Sequence, residues 1–139
     1  MQFREKFVTI TEVISKEDIL SYIENLDGAF YDMPFKGDFS TTVLRRKNAK
    51  KSGNSWFGAV IAAPEKYFLR YGAPVPEDRT VLCLKCPPDL QPFLCAEYAG
   101  RIMPAYHMNK THWISVVICS DVPREEIEKL IVLSYDITK

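Results

Sequence analysis

The stretch from Trp113 to Cys119 constrains the fold most, because its side chains alternate as they do in a β-strand. Ile114, Val116 and Ile118 would share one side of such a strand, and Ser115 would take the other. A strand with one apolar side needs a second layer to cover it. We therefore expect the three apolar residues of this strand to face helices.

The other segments predict the element order helix, hairpin, strand, helix, strand, helix. Ser15 is a good N-cap for the first helix. The first helix is expected to begin near Lys16, the second between Pro88 and Gln91, and the last at Asp121 to Pro123. The remaining strands are expected to span residues 39–47, 56–62 and 80–86. Residues 48–54 are predicted to form the hairpin loop. This order favours an α+β class: two layers, a mostly antiparallel sheet with helices packed on one face.

The length of 139 residues predicts one domain. No apolar run reaches the roughly 18 residues of a membrane span. The first residues also lack the apolar core of a secretory signal. We therefore expect a cytoplasmic protein with no membrane partner. Its four cysteines, Cys83, Cys86, Cys95 and Cys119, are then expected to stay reduced.

The charge is zero overall but unevenly distributed. Residues 1–38 hold four basic and eight acidic side chains, residues 39–110 hold eleven and five, and residues 111–139 hold three and five. Overall neutrality excludes a uniformly basic nucleic-acid coat. It leaves room for a basic patch in the middle of the chain.

Two motifs carry a resemblance to a known family. They are Leu-Lys-Cys-Pro-Pro at 84–88 and Pro-Ala-Tyr-His-Met-Asn-Lys-Thr-His-Trp-Ile-Ser-Val at 104–116. With weaker matches at Tyr31, Pro34, Phe35, 56–61 and 133–135, the chain resembles the MmcQ/YjbR family over roughly residues 16–138. The resemblance implies a CyaY-like fold for a domain at 15–139, preceded by an N-terminal extension at 1–14. It also implies DNA binding, with no assigned reaction.

A basic cluster lies in the expected hairpin. It consists of Arg45, Arg46, Lys47, Lys50 and Lys51. Such a cluster on a hairpin can lie along phosphates, and Trp56 is close enough in sequence to stack on a base. We add Lys85 to this expected DNA-binding surface. The alternative is a solvated loop, where long cationic side chains are also common.

The segment from Tyr106 to Trp113 is the densest polar and aromatic group in the chain. Its candidate ligand or partner residues are Tyr106, His107, Asn109, Lys110, His112 and Trp113. These side chains can donate hydrogen bonds to an anion or offer a stacking face. The alternative is structural: a turn at Asn109 and Lys110, with Trp113 packed in the core.

Metal, redox and catalytic motifs are weak. His107 and His112 are five residues apart and would point in opposite directions in an extended segment. Cys83 and Cys86 are three apart on a strand, so their thiols should diverge into opposite layers. We therefore expect no metal site and no cofactor.

The sequence thus predicts a protein that acts by binding rather than catalysis. Weak, sequence-independent DNA binding is the first hypothesis. The second is a module that binds a small anion, another small molecule or a protein through the segment from Tyr106 to Trp113. The third is an enzyme built on Tyr106, His107 and Lys110.

Overall fold

The structure is a computed structural model that describes residues 14–38, 40–49 and 53–138. Within these ranges the elements are α1 (Lys16–Glu24), β1 (Ala29–Asp32), β2 (Thr42–Ala49), β3 (Gly53–Ala62), α2 (Glu65–Arg70), β4 (Thr80–Lys85), α3 (Gln91–Glu97), β5 (Ile102–Pro104), β6 (Trp113–Val117) and α4 (Arg124–Ile137). Residues 1–13 of the expected N-terminal extension lie outside the described residues. Ile14, the last residue of that extension, is fully buried in the core.

The six strands form one antiparallel sheet in the order β1-β2-β3-β4-β6-β5. In its centre, Cys83 of β4 pairs with Ser115 of β6, and Leu84 pairs with Ile114. Together with the helices, this sheet confirms the predicted α+β class. The register also fixes which side chains share a face, since neighbouring strands pair residue by residue.

One face of the sheet is covered by α1, α3 and α4. Ile114, Val116 and Ile118 pack there in the main hydrophobic cluster, which also contains Ile19 of α1 and Leu130 of α4. The predicted orientation of β6 is therefore confirmed. Each fully buried side chain of this size contributes about 1.5–3 kcal/mol to folding. None of the described helices is long and apolar enough to cross a membrane.

The opposite face carries a second, smaller hydrophobic cluster under the short helix α2. Tyr67 and Phe68 of α2 pack there on Ala59, Val81 and other residues of β3, β4, β5 and β6. The Tyr67 hydroxyl donates a 2.6 Å hydrogen bond to the carbonyl of Pro104 in β5. The predicted element order has no helix between the hairpin and β4, so α2 is an addition to it and closes part of the second face.

Ser15 caps α1 as predicted. Its hydroxyl accepts the amide N–H of Asp18 at 3.2 Å, and the Asp18 carboxylate accepts the amide of Ser15 at 3.0 Å. The bonds that the Asp18 carboxylate accepts from the Ser15 amide and the Ser15 hydroxyl hold the pKa of Asp18 below its ordinary value, with a smaller contribution from the nearby Arg124 guanidinium. The helix ends at Glu24.

The predicted hairpin exists, but both strands extend further toward the turn than expected, and the first begins at Thr42 rather than at residue 39. They reach Ala49 and start again at Gly53, so most of the expected loop at 48–54 continues the ladder. Phe57 is the extra residue of a β-bulge, since Arg45 pairs with Trp56 and Leu44 pairs with Gly58. The bulge lets Phe57 join the helix-side core while Trp56 stays on the opposite face.

The two layers differ in charge. Helices α1 and α4 together carry seven carboxylates and three cationic side chains. The strands and α2 on the opposite side carry five cationic side chains and two carboxylates, namely Arg45, Lys47, Lys85, Lys66 and Arg70 against Asp32 and Glu65. The neutral chain therefore has an acidic helical side and a basic side.

Candidate functional site

The open face is the side of the sheet opposite α1, α3 and α4. Alternation along β2 shows which residues belong to it. Leu44 is in the helix-side core, and Arg46 donates a 2.8 Å hydrogen bond to the carbonyl of Tyr135 in α4. Arg45 and Lys47 therefore lie on the open face.

A row of residues that alternate between aromatic and cationic crosses the open face. We call it the cross-strand row, and it consists of Phe30, Arg45, Trp56, Lys85 and Trp113. Phe30 pairs with Arg45, and Arg45 pairs with Trp56. Lys85 pairs with Trp113. All five side chains are partly exposed.

The row has one part on β1, β2 and β3 and another on β4 and β6, and the two parts meet between β3 and β4. The last residue pair there is Gly58 with Leu84, so Trp56 and Lys85 both lie just beyond it at the same end of the strands. Gly58 is required at this point because a Cβ would stand 2.9 Å from a Leu44 methyl and 3.1 Å from the Cys83 carbonyl oxygen. Neighbouring strands lie about 4.8 Å apart, so the aromatic rings of the row recur about every 10 Å.

Cations lie beside the aromatic rings of the row. The Arg45 guanidinium carbon is 5.7 Å from the Trp56 ring centroid, and the Lys85 ammonium is 5.9 Å from that of Trp113. Lys47 stands 5.7 Å from the ring of Phe30. The Nε atom of Arg45 also donates a 2.9 Å bond to Asp32, which holds the guanidinium in place beside Trp56. Such contacts contribute about 0.5–1 kcal/mol each at exposed sites.

The structure divides the predicted basic cluster. Arg45, Lys47 and Lys85 share the open face, whereas Arg46 lies 4.2 Å from the Tyr135 ring on the helix side. Lys50 and Lys51 lie outside the described residues. The strand period of two explains why consecutive cations separate.

Part of the segment from Tyr106 to Trp113 has structural hydrogen bonds. The Asn109 side-chain oxygen accepts the amides of Thr111 and His112 at 2.9 and 3.1 Å. Lys110 donates from its ammonium to the Ala105 carbonyl at 2.8 Å. Asn109 thus stabilises the turn, as the structural alternative expects. His112 is exposed, and Trp113 is partly buried against the second cluster.

The side chains of Tyr106 and His107 lie next to α2, on the open face of the sheet. Their ring centroids are 4.1 Å apart, and the Tyr106 ring lies 5.4 Å from that of Tyr67. His107 has a backbone φ of 65°, in the left-handed region that few residues other than glycine adopt. This backbone turn leaves the imidazole exposed beside Tyr106.

A cleft of about 430 Å³ opens between these rings and the sheet. Trp56, Phe35, Tyr106 and His107 give it aromatic walls, and Asp38 is at its margin. Phe35 meets Trp56 edge-on, with 6.2 Å between the ring centroids. The volume is within the range of about 300–1,000 Å³ that is typical of small-molecule sites.

A smaller groove of about 160 Å³ adjoins the cleft and shares Tyr106 and His107 with it. Its other lining residues include three cationic side chains, Lys66, Arg70 and Lys110. An aromatic cleft and a cationic groove thus meet at the same pair of rings.

Asp38 is held ionised by its own loop. Its carboxylate accepts hydrogen bonds from the hydroxyls of Ser40 and Thr41, at 2.7 and 2.8 Å, and from the Ser40 amide at 2.9 Å. These bonds lower the pKa of Asp38 to about 2. A fixed negative charge therefore lies at the margin of the cleft.

The cysteines and histidines form no metal site among the described residues, where no three groups of the kind that bind metals come together. Cys83 packs in the second cluster and Cys86 in the main one, so the predicted divergence of the two thiols is confirmed. Burial raises the pKa of each to about 11.

Sequence reasoning did not include Phe30, Asp38, Lys66 and Arg70 in the site. Phe30 was missed because β1 has only four residues and no alternating pattern that distinguishes it. The other three come to the site only through tertiary folding. Phe35 was noted as part of the family resemblance, but its contact with Trp56 has no signal in the sequence.

Comparisons with known proteins agree on the family and the fold. The family model described as YjbR matches residues 24–137. Uncharacterized protein YyaQ of Bacillus subtilis (strain 168) is 33% identical over 128 residues, which is 91% of this chain and 100% of that protein. A crystal structure of a Pseudomonas syringae protein matches with a TM-score of 0.73 at 26% identity, covering 91% of this chain and 100% of that one. The Deinococcus radiodurans protein DR2400, with a DUF419 domain, matches in fold with a TM-score of 0.70 at 24% identity, covering 92% and 80%.

Proposed function

The chain belongs to the YjbR family, and from the open face of its sheet we propose that it binds DNA, with a preference for single strands. The observation that carries the proposal is the cross-strand row, which alternates Phe30, Trp56 and Trp113 with Arg45 and Lys85. Aromatic rings stack on unpaired bases of any sequence, and cations beside them contact the phosphates.

The geometry favours single strands over duplex DNA. A duplex hides the faces of its bases, so the three aromatic rings would have nothing to stack on. No described helix combines a free surface with the clustered Arg and Asn side chains that read bases in a major groove. We therefore expect binding that depends on stacking and charge and that reads little sequence.

The charge distribution supports the same face. Arg45, Lys47 and Lys85 lie on the open face, whereas α1 and α4 carry a net negative charge on the other side. A polyanion is attracted by the first surface and repelled by the second. Lys50 and Lys51 follow Lys47 in the sequence and add to the positive charge of this part of the chain.

The test is a fluorescence-anisotropy titration with a labelled thymine oligonucleotide and with a duplex of equal length. Three to five phosphate contacts to a single strand give a slope of log affinity against log salt of about −2 to −3.5. We expect a slope in this range and tighter binding of the single strand. The absence of binding near 50 mM salt would remove DNA as a direct partner. Equal or tighter binding of the duplex would contradict the stacking mechanism.

A further inference from the structure

The aromatic cleft has the features of a site for one planar ring. Trp56 and Tyr106 both line it, and His107 extends the wall from its position 4.1 Å from the Tyr106 ring. Aromatic walls hold a planar ligand through stacking and through the removal of apolar surface from water. The cleft lies directly beside the cross-strand row, because Trp56 belongs to both.

The margin of the cleft selects for hydrogen-bond donors. Asp38 stays ionised down to a pH of about 2, so its carboxylate only accepts hydrogen bonds. Its Oδ2 atom accepts the Thr41 hydroxyl, and a carboxylate oxygen can accept more than one donor. A base with an exocyclic amino group or a ring N–H supplies such a donor. The same negative charge disfavours a phosphate at this end.

The adjoining groove, by contrast, favours a negatively charged group such as a phosphate. Lys66 and Arg70 of α2 line it, together with Lys110 from the loop before β6. Lys66 and Arg70 are exposed and are four positions apart on one helix, which places both on the same side of α2. Cations in this arrangement bind a phosphate through charge-assisted hydrogen bonds.

We propose that the cleft and the groove together bind a single nucleotide whose base carries an amino group. The base lies between Trp56 and Tyr106 with its amino group toward Asp38, and the phosphate lies at Lys66 and Arg70. The shared chemistry is an unstacked nucleotide, either free or as an unpaired residue of a strand. The second source extends the proposed DNA binding, whereas the first does not depend on it.

The test is isothermal titration of the full chain with three probes: AMP, adenosine and ribose 5-phosphate. AMP has both the base and the phosphate, so we expect its affinity to exceed that of adenosine and of ribose 5-phosphate by about tenfold or more. Equal affinity of ribose 5-phosphate and AMP would reduce the site to an anion groove and overturn the proposal. So would the absence of saturable AMP binding up to about 10 mM.

Two variants separate the parts of the site. The double variant Lys66→Gln/Arg70→Gln should weaken AMP about tenfold and leave adenosine unchanged. Trp56→Leu, which changes a wall of the cleft and not of the groove, should weaken AMP and adenosine and leave ribose 5-phosphate unchanged. A matched control is Lys129→Gln on α4, which should change none of the three. If both site variants bind all three probes as the unmodified protein does, the ligand lies elsewhere and the assignment is wrong.

Competition then distinguishes the two sources. If AMP displaces a labelled adenine oligonucleotide, the cleft holds one nucleotide of a strand. If AMP binds without displacing it, the site serves a free nucleotide. Failure of this proposal remains separate from failure of the proposed function. If the protein binds oligonucleotides but not AMP, the cross-strand row binds DNA and the nucleotide site is wrong. If it binds AMP but not oligonucleotides, the nucleotide site is correct and the proposed DNA binding is wrong.

Discussion

The hydroxyl of Ser134 in α4 donates a hydrogen bond to the carbonyl oxygen of Phe57, the extra residue of the bulge in β3. The same hydroxyl oxygen accepts the amide N–H of Lys85 in β4 at 2.8 Å. Ser134 is fully buried. One helical side chain thus joins, from behind, the two strands whose open side carries Trp56 and Lys85.

Replacement of this serine should destabilise the protein. Ser134→Ala leaves the Phe57 carbonyl and the Lys85 amide without this partner, which costs about 1–3 kcal/mol in the free energy of unfolding. The measurement is chemical denaturation followed by circular dichroism. Ser21→Ala, at an exposed position of α1, is the matched control and should change stability by no more than about 0.5 kcal/mol. Equal effects of the two substitutions would show that the bridge adds nothing.

Removal of single cations from the open face should flatten the salt dependence of DNA binding. Lys47→Gln and Lys85→Gln each remove one phosphate contact, so each should reduce the slope for single strands by about 0.7. The slope comes from anisotropy titrations at several salt concentrations. Lys129→Gln removes an equal charge from the helix side. If this control flattens the slope as much as the other two variants, the binding surface is not the open face.

Removal of the central aromatic ring should weaken single-strand binding more than duplex binding. Trp56→Ala removes one stacking surface, which is worth about 1–3 kcal/mol per base, or roughly 5-fold to 150-fold in affinity. Phe93 on α3 is 72% exposed and offers a matched aromatic control on the other side of the molecule. Phe93→Ala should leave both affinities unchanged. A loss for Trp56→Ala that is the same for single strand and duplex would argue against stacking.

The cysteines should differ sharply in reactivity. Burial raises the pKa of Cys83 and Cys86 to about 11, so both remain protonated and shielded at pH 8. Cys119 is exposed and should be modified first by a thiol reagent in the native protein. All four thiols should react after denaturation without a reductant. Rapid modification of Cys83 in the folded protein would contradict the packing of β4.

The same thiols give stability a dependence on alkaline pH. In the unfolded chain a thiol ionises near its ordinary pKa of 9.0, but in the folded protein Cys83 and Cys86 hold their protons to about pH 11. The unfolded state then binds fewer protons across this interval, so the free energy of unfolding falls as the pH rises. The double variant Cys83→Ala/Cys86→Ala should show a shallower fall between pH 9 and 11. Parallel curves for the two proteins would contradict this origin.

The sequence predicted those elements whose hydrophobic pattern extends over several residues and lies within the element itself. The alternation of Ile114, Val116 and Ile118 was sufficient for β6, and Ser15 with the apolar residues after it was sufficient for α1. By contrast, β5 has only three residues and ends at Pro104, so its pairing with β6 depends on a contact across a turn. The short helix α2 follows Pro64 in a segment rich in turn residues, which obscured it.

The site was less predictable because its residues come from separate strands. Arg45 and Trp56 are close in sequence, and the possibility of stacking near them could be read directly. Phe30, Lys85 and Trp113 join the same row only through the register of the sheet, which one sequence does not specify. The bulge at Phe57 adds to this difficulty, because it breaks the alternation that would otherwise tell which side Trp56 faces.

The acidic helices and the basic open face have a kinetic consequence. A neutral chain gains no long-range attraction to DNA from its total charge, but its separated charges act as a dipole that rotates the molecule during an encounter. Collisions through α1 and α4 should separate quickly, while those through the sheet persist long enough to dock. For the proposed DNA binding, charge therefore also orients the encounters, so added salt should slow productive association as well as weaken the phosphate contacts.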